Sequence, residues 1–387
     1  MIPYGRQDVI QQDIDAVVEV LKSDFLTQGP VIPKFEKALS SFTGAKYALA
    51  VNSATSALHI ACMSVGLSKG DWLWTSPISF VASSNVGLFC GAKIDFVDID
   101  SKTYNICPDR LEEKLKNASL NGRIPKVLVP VHLCGQSCDM SKIKKVCDKY
   151  NIKVIEDASH AIGGYYRDEP IGNCKYSDIT VFSFHPVKII TTAEGGVALT
   201  NNENLAKKMN LHRSHGVTRN KEEMTEPSHG PWYYQQIELG YNYRMNDIQA
   251  ALGISQMNRL REFVQIRNNI ADHYNENLKD LPLQIPFQLE STNSSQHLYI
   301  IRLKLEELDK SHKQIFEELR ESGIGVNLHY IPIHLQPYYK SMGFKYGDFR
   351  ESEKYYEEAI SIPIHTGLSK DDQETVIRYL RKIIREK

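Results

Sequence analysis

The chain predicts an α/β fold: a large domain on a mostly parallel mixed sheet, followed by a smaller C-terminal α/β domain. Three observations carry this. From Lys46 onward, short β-rich runs (residues 47–51, 72–76, 94–97, 127–131, 154–155, 180–184 and 197–200) alternate with helical stretches, the rhythm of a sheet covered by helices. One unit is complete: a strand over 127–131, a helix over 140–150 with Ile143, Val146 and Cys147 facing inward, and a strand over 153–155, which suits a right-handed crossover. Finally, apolar residues at helical spacing begin near Asn246 and run through Ile248, Leu252, Ile254, Leu260 and Phe263 past Ile270, predicting one long helix that leads out of the sheet domain. The expected division is an N-terminal arm and large domain over 1–250, with linker helix and small domain over 251–387.

The remaining elements follow in order. Ile10, Ile14, Val17, Val18 and Leu21 recur at helical spacing, and Phe35, Leu39 and Phe42 mark a second short helix; together they form the arm. Residues 219–229 are polar, lack either periodicity and run into Gly230-Pro231, so they read as a mobile loop and a candidate lid. The tail predicts a strand over 298–303, a helix over 312–319, an extended piece over 326–329 and a final helix over 371–384.

Composition narrows the function classes. A chain of 387 residues, 42% hydrophobic, is long enough for two domains. Its 46 Lys and Arg nearly balance 47 Asp and Glu, leaving no basic field for a nucleic-acid partner. The first residues lack a charged segment followed by an apolar one, and no apolar run reaches spanning length, so the chain reads as cytoplasmic with no membrane contact. Seven cysteines, odd in number and thinly spread, fit reduced thiols. Only Cys134 and Cys138 are close-set, nothing pairs with them in zinc-ligand fashion, and no metal site is expected.

Three segments carry chemistry. Asn52-Ser53-Ala54-Thr55-Ser56-Ala57-Leu58 joins a strand to a helix, where free backbone N–H groups, hydroxyls and the positive helix end suit a phosphate; an ordinary N-cap would use the same residues. Ile155-Glu156-Asp157-Ala158-Ser159-His160 puts Asp157 just past a strand's carboxyl end, where open sheets bind ligands. A carboxylate there keeps a pyridine nitrogen protonated, though a solvated loop Asp reads the same way. Phe182-Ser183-Phe184-His185-Pro186-Val187-Lys188 follows a buried β run and precedes Gly195-Gly196, which allows close backbone approach. Burial at such a place lowers a lysine's pKa toward the range of a nucleophile and base.

These segments, with Gly240-Tyr241-Asn242-Tyr243-Arg244-Met245-Asn246, closely resemble those of the DegT/DnrJ/EryC1/StrS sugar-nucleotide aminotransferases, members of the type I pyridoxal-phosphate-dependent transferase fold, over almost the whole chain. The resemblance implies pyridoxal 5'-phosphate as cofactor, held by Lys188 as a Schiff base. Lys188 would then move the substrate proton, Asp157 would pair with the ring nitrogen, His160 would lie near the phenolic oxygen and Phe80 would stack on the ring. The phosphate would meet the N–H groups of Ala54 and Thr55, the Ser183 hydroxyl, and Asn242 given by the neighbouring subunit of a homodimer.

Ile2-Pro3-Tyr4-Gly5-Arg6-Gln7, Leu26-Thr27-Gln28-Gly29-Pro30, Phe182-Ser183-Phe184-His185-Pro186-Val187-Lys188 and Arg213-Ser214-His215-Gly216 further resemble the transaminases that aminate C4 of a UDP-4-keto-6-deoxy-N-acetylhexosamine in pseudaminic acid synthesis, with L-glutamate as donor. That likeness implies substrate contacts at Tyr4, Phe25, Leu26, Thr27, Gln28, Ser56, Ser183, Asn242, His329, Tyr330, Ile331 and Pro332; His329 and Tyr330 also suit a small-domain core. Related sequences often have Gly where Ala193 stands, and little consequence is expected. Members with His at position 188 are dehydratases, so Lys188 argues for transamination. A different keto nucleotide sugar, another reaction on the same cofactor, and a non-catalytic sugar-nucleotide binder are the competing readings.

Overall fold

All seven β-rich runs become strands of one sheet. In the computed structural model, which describes residues 1–385, they are β1 (Tyr47–Val51), β2 (Trp72–Thr75), β3 (Lys93–Phe96), β4 (Val127–Val129), β5 (Lys153–Asp157), β6 (Ile179–Ser183) and β7 (Gly196–Thr200). Their order across the sheet is β1-β7-β6-β5-β4-β2-β3. β7 alone runs against its neighbours, because the loop carrying Lys188 turns the chain back from β6. Every other pairing is parallel. The sheet is therefore mixed and mostly parallel, as the sequence predicts.

Helices cover both faces, which is why the strands read as nearly continuous apolar runs. The arm supplies α1 (Gln11–Leu21) and α2 (Val31–Thr43); the crossovers are α3 (Ala54–Ser64), α4 (Ala82–Phe89), α5 (Pro108–Leu120) and α6 (Met140–Lys149), and α7 (Glu203–Arg213) follows the last strand. Alternation along each strand splits the core in two. Ile155, Val181 and Ala198 meet Leu58, Ala61 and Met209 on one face. Phe182, Val197 and Leu199 meet Phe35 and Leu39 on the other. Ile143, Val146 and Cys147 of α6 pack against Leu128 and Val154 as expected. Full burial of a side chain such as Phe35 or Leu39 contributes roughly 1.5–3 kcal/mol.

Two expectations need correction. The long helix from Asn246 is two helices, α8 (Asp247–Met257) and α9 (Leu260–Leu278), broken at Asn258 and Arg259. Arg259 leaves helical geometry (φ −104°, ψ 2°). Its guanidinium donates to Asp8 at 2.9 Å and to Asp13 at 2.6 Å, so the arm stabilises the bend. Residues 326–329 form no ladder; only Asn327 makes an isolated bridge, to Ser361. On α1, Asp13 and Val20 are buried while Ile14 and Leu21 remain exposed.

The small domain has its own core, drawn from residues 270–384, over the sheet β8 (Leu283–Gln284), β9 (Tyr299–Leu303) and β10 (Ala359–Ile362). The cut at 250 and 251 falls inside α8, which packs on α1 and α2 of the large domain. We propose to divide the chain at the Asn258–Arg259 break instead; the last two residues of the 251–387 unit lie outside the described residues. The N-terminal strap also belongs in part to the small domain. Ile2 exchanges hydrogen bonds with Gly323 and Gly325, both 2.7 Å, and the Tyr4 carbonyl accepts from Ile364 N–H at 3.0 Å. Residues 219–229 form neither helix nor strand, and Thr225 N–H donates to the Gln235 side chain at 2.7 Å. Among the described residues no helix is long and apolar enough to cross a membrane.

Candidate active site

Strand alternation gives the two acids at the end of β5 different duties. Glu156 points away from the cleft and is buried with His132 (2.7 Å) and Thr180 (3.1 Å). Burial pushes its carboxyl up, but the His132, Ser177 and Thr180 hydrogen bonds outweigh this and leave it below the usual value. Asp157, the last residue of β5, lines the cleft. Its backbone is pinned between Pro130 and His132 on the neighbouring segment, so the carboxylate has little freedom.

Lys188 sits in the loop between β6 and β7. Its N–H donates to the His185 carbonyl at 2.9 Å, and the loop is closed where Thr192 N–H donates to Phe184 O and Phe184 N–H to Gly195 O. Ala193 takes a left-handed backbone (φ 65°), the conformation a glycine adopts freely, and its N–H is satisfied by Thr191 Oγ1 at 2.9 Å. Burial lowers the Lys188 pKa to about 8, against the opposing pull of Asp157. About a tenth of the amine is then free at pH 7, far more than for an ordinary lysine.

Three histidines crowd this amine, and burial holds all of them neutral. His160 and His297 lie well below the usual value, and His329 falls to about 4. After burial, the Lys188 charge lowers His160 and His329, while for His297 the His160 ring comes second. His160 Nδ1 accepts from the Cys134 N–H at 3.3 Å, so its proton is on Nε2, which faces the Tyr330 hydroxyl at 3.2 Å.

At the third corner stands the start of α3. Ser53 caps the helix by accepting from Ser56 N–H at 3.1 Å, leaving the Ala54 and Thr55 N–H groups in the first turn. These corners enclose a cleft of about 430 Å³. Tyr4, Ala54, Thr55, Phe80, Asp157, His160, Ser183, Lys188, His329 and Tyr330 line it together, as the sequence predicts they should meet. Phe80 is 60% exposed, so its ring face is open to the cleft.

Other expected contacts do not reach this cleft. Ser56 is buried in the cap, donating to Asn52 Oδ1 at 2.7 Å. Phe25, Leu26, Thr27 and Gln28 are exposed beside α1, Ile331 is exposed and Pro332 is buried outside the lining. Asn242 is exposed because its strap is tied to the strand edge by Asn52 N–H donating to Tyr243 O (2.8 Å) and by its bridge to Ser214. Sequence reasoning also missed Ser79, His185, Glu194 and His297, which line the cleft. Only the closeness of Ser79 to Phe80 and of His185 and Glu194 to Lys188 could have signalled them.

The model of the DegT/DnrJ/EryC1/StrS aminotransferase family matches residues 7–381. The chain belongs to this family. A Campylobacter jejuni protein named UDP-4-amino-4,6-dideoxy-N-acetyl-beta-L-altrosamine transaminase is 37% identical over 99% of this chain and 98% of its own. The solved structure of Helicobacter pylori PseC, described as an aminotransferase involved in the biosynthesis of pseudoaminic acid, superposes with a TM-score of 0.90 at 33% identity, covering 99% of each chain. A Streptococcus pneumoniae chain assigned as a sugar aminotransferase and solved in its PMP form gives 0.90 at 30% identity, again over 99% of each.

The DegT/DnrJ/EryC1/StrS chain is thus a pyridoxal-phosphate-dependent aminotransferase of the type I fold. Its cleft fits the group on structural grounds. A Cβ on Gly196 would lie 2.5 Å from the Ala54 nitrogen, so that the cradle closes only around a bare α-carbon. Helix-end N–H groups suit a phosphate, an aromatic face suits a planar ring, a carboxylate suits a ring nitrogen and a poised amine suits an aldehyde.

Proposed function

We propose that this aminotransferase moves the amino group of L-glutamate to C4 of a UDP-4-keto-6-deoxy-N-acetylhexosamine, in pseudaminic acid biosynthesis, and that it works as a homodimer. The observation that carries the chemistry is one cleft shared by an amine of pKa about 8, Lys188, and a fixed carboxylate, Asp157. The sugar rests on likeness to the Campylobacter and Helicobacter proteins.

When bound, the cofactor supplies an aldehyde and an electron-withdrawing ring. The rest is done by side chains of this chain. Lys188 holds the cofactor covalently, then carries the proton that leaves and rejoins the substrate carbon. Asp157 keeps a proton at the ring nitrogen, Phe80 covers the ring face and His160 offers its Nε2 side toward the phenolic oxygen. Ala54 N–H, Thr55 N–H and the Ser183 hydroxyl hold the phosphate. Because both substrates use the same amine position in turn, a ping-pong cycle follows.

Tyr4, His329 and Tyr330 line the mouth on which the sugar nucleotide would lie, while Phe25 to Gln28, Ser56, Ile331 and Pro332 reach it only with a partner chain or closure. The dimer is supported by exposed apolar side chains on the arm and near the strap, Ile14, Leu21, Phe25, Leu26, Trp232 and Leu239, and by Asn242, exposed and outside its own cleft. Lys188 disfavours the dehydratase reading.

A panel of 4-keto nucleotide sugars, UDP- and dTDP-linked, offered with L-glutamate and cofactor, tests this. 2-Oxoglutarate should form only with a keto sugar and fastest with the UDP-N-acetyl substrate. Turnover with the dTDP sugars alone would replace the proposed substrate, and none with any would end the reading.

A further inference from the structure

Asp157 is held by more than its strand. Ser83, in the first turn of α4 and fully buried, donates its hydroxyl to Oδ2 at 2.6 Å. Ser159 donates to Oδ1 twice, through its hydroxyl at 2.6 Å and its N–H at 3.2 Å. An ionised carboxylate only accepts, so the Ser83 proton is committed to it. In the 2.7 Å contact between Ser79 and Ser83, Ser79 must then be the donor. The result is a directed chain: Ser79 to Ser83 to Oδ2, with Ser159 converging on Oδ1. Oδ1 already has two donors and Oδ2 one, so the open acceptor position is on Oδ2.

We infer that Ser83 and Ser159 are positioning residues that fix the orientation of the Asp157 carboxylate and leave Oδ2 to receive the cofactor's ring N–H. This deepens the proposed role of Asp157 and rests on it. Two hydroxyl donors, one on each oxygen, set the plane of the carboxylate, so that Oδ2 stays aimed at the ring nitrogen. Without them the carboxylate turns, its bond to the ring N–H weakens and the ring nitrogen loses its proton more readily, weakening the ring as an electron sink. Ser79 immediately precedes Phe80, so the same chain fixes the ring's edge and its face.

The test uses the holoenzyme loaded with cofactor labelled at the ring nitrogen, comparing the parent with Ser83→Ala, Ser159→Ala, Ser83→Thr and Asp157→Asn. The ring-nitrogen resonance should move toward the unprotonated position in Ser83→Ala and Ser159→Ala and return in Ser83→Thr. In the two alanine variants kcat should fall about tenfold per hydroxyl, with KM for glutamate nearly unchanged. A resonance unmoved in both alanine variants, while Asp157→Asn shifts it, overturns the role of the serines and leaves Asp157 standing. A resonance unmoved in Asp157→Asn overturns the reading beneath it. Should Ser83→Ala fail to fold, the half-buried Ser159→Ala decides alone by the same reading.

Discussion

Gly196 lies directly against the backbone of Ala54: a methyl at Gly196 would stand 2.5 Å from the Ala54 nitrogen and 2.7 Å from its α-carbon. Backbone contacts of that kind cannot be relieved by turning a side chain. Gly196→Ala should therefore push the start of α3 outward and weaken cofactor binding at least tenfold, about 1.4 kcal/mol. Fluorescence titration of the apoprotein with pyridoxal phosphate reads this directly, and an unchanged Kd would refute the cradle.

Lys188 gives a pH signature. With its pKa at about 8, the free amine grows as pH rises through that value, so covalent capture of the cofactor should speed up between pH 7 and 9 and then level off. Stopped-flow absorbance of apoprotein mixed with cofactor measures it. Lys188→Ala should show no visible band stable to dialysis and lose roughly 10³-fold or more of its turnover.

Acid should destabilise the fold through the cleft histidines. The folded value of His329 is about 4, and His160 and His297 lie well below 6.5, whereas all three titrate near 6.5 when unfolded. Between these values the unfolded chain binds more protons, so stability is complete above pH 6.5 and falls as pH drops toward 4. Each histidine contributes up to about 1.4 kcal/mol per pH unit in that window. Thermal melts at pH 7, 6 and 5 should show a progressive loss of Tm, and His329→Gln should flatten part of the slope.

Ala193→Gly should stabilise the Lys188 loop. The left-handed backbone at Ala193 (φ 65°) costs an alanine on the order of 1 kcal/mol relative to glycine. Denaturant midpoints of the two proteins, with and without cofactor, should show that gain; a loss would mean that the added freedom of the unfolded glycine outweighs it.

The sheet was legible because its central strands are buried on both faces and spell apolar runs, while the edge strand β3 still alternates buried Ile94 and Phe96 with Lys93 and Asp95. The break between α8 and α9 was not legible. Its cause is a pairing of Arg259 with Asp8 and Asp13, far away in sequence, and local periodicity carries no trace of it. The site was half legible for a similar reason. Asp157, Ser183 and Lys188 sit at strand ends or beside them, where type and position speak together. Ser83 reads locally as an ordinary residue of a helix's first turn, and His297 as part of the small domain; only the packing of α4 on β2 and β3, and the His297 N–H bond to the Cys134 carbonyl, bring them to Asp157 and His160.

The strap from Ile2 to Tyr4 has a consequence for how the molecule comes into being. Its hydrogen-bonding partners, Gly323, Gly325 and Ile364, leave the ribosome some three hundred residues later. All seven strands of the large sheet precede these partners in the chain, so the sheet can form before them, whereas the Tyr4 wall of the cleft waits for residue 364, as its neighbours His329 and Tyr330 wait for the small domain.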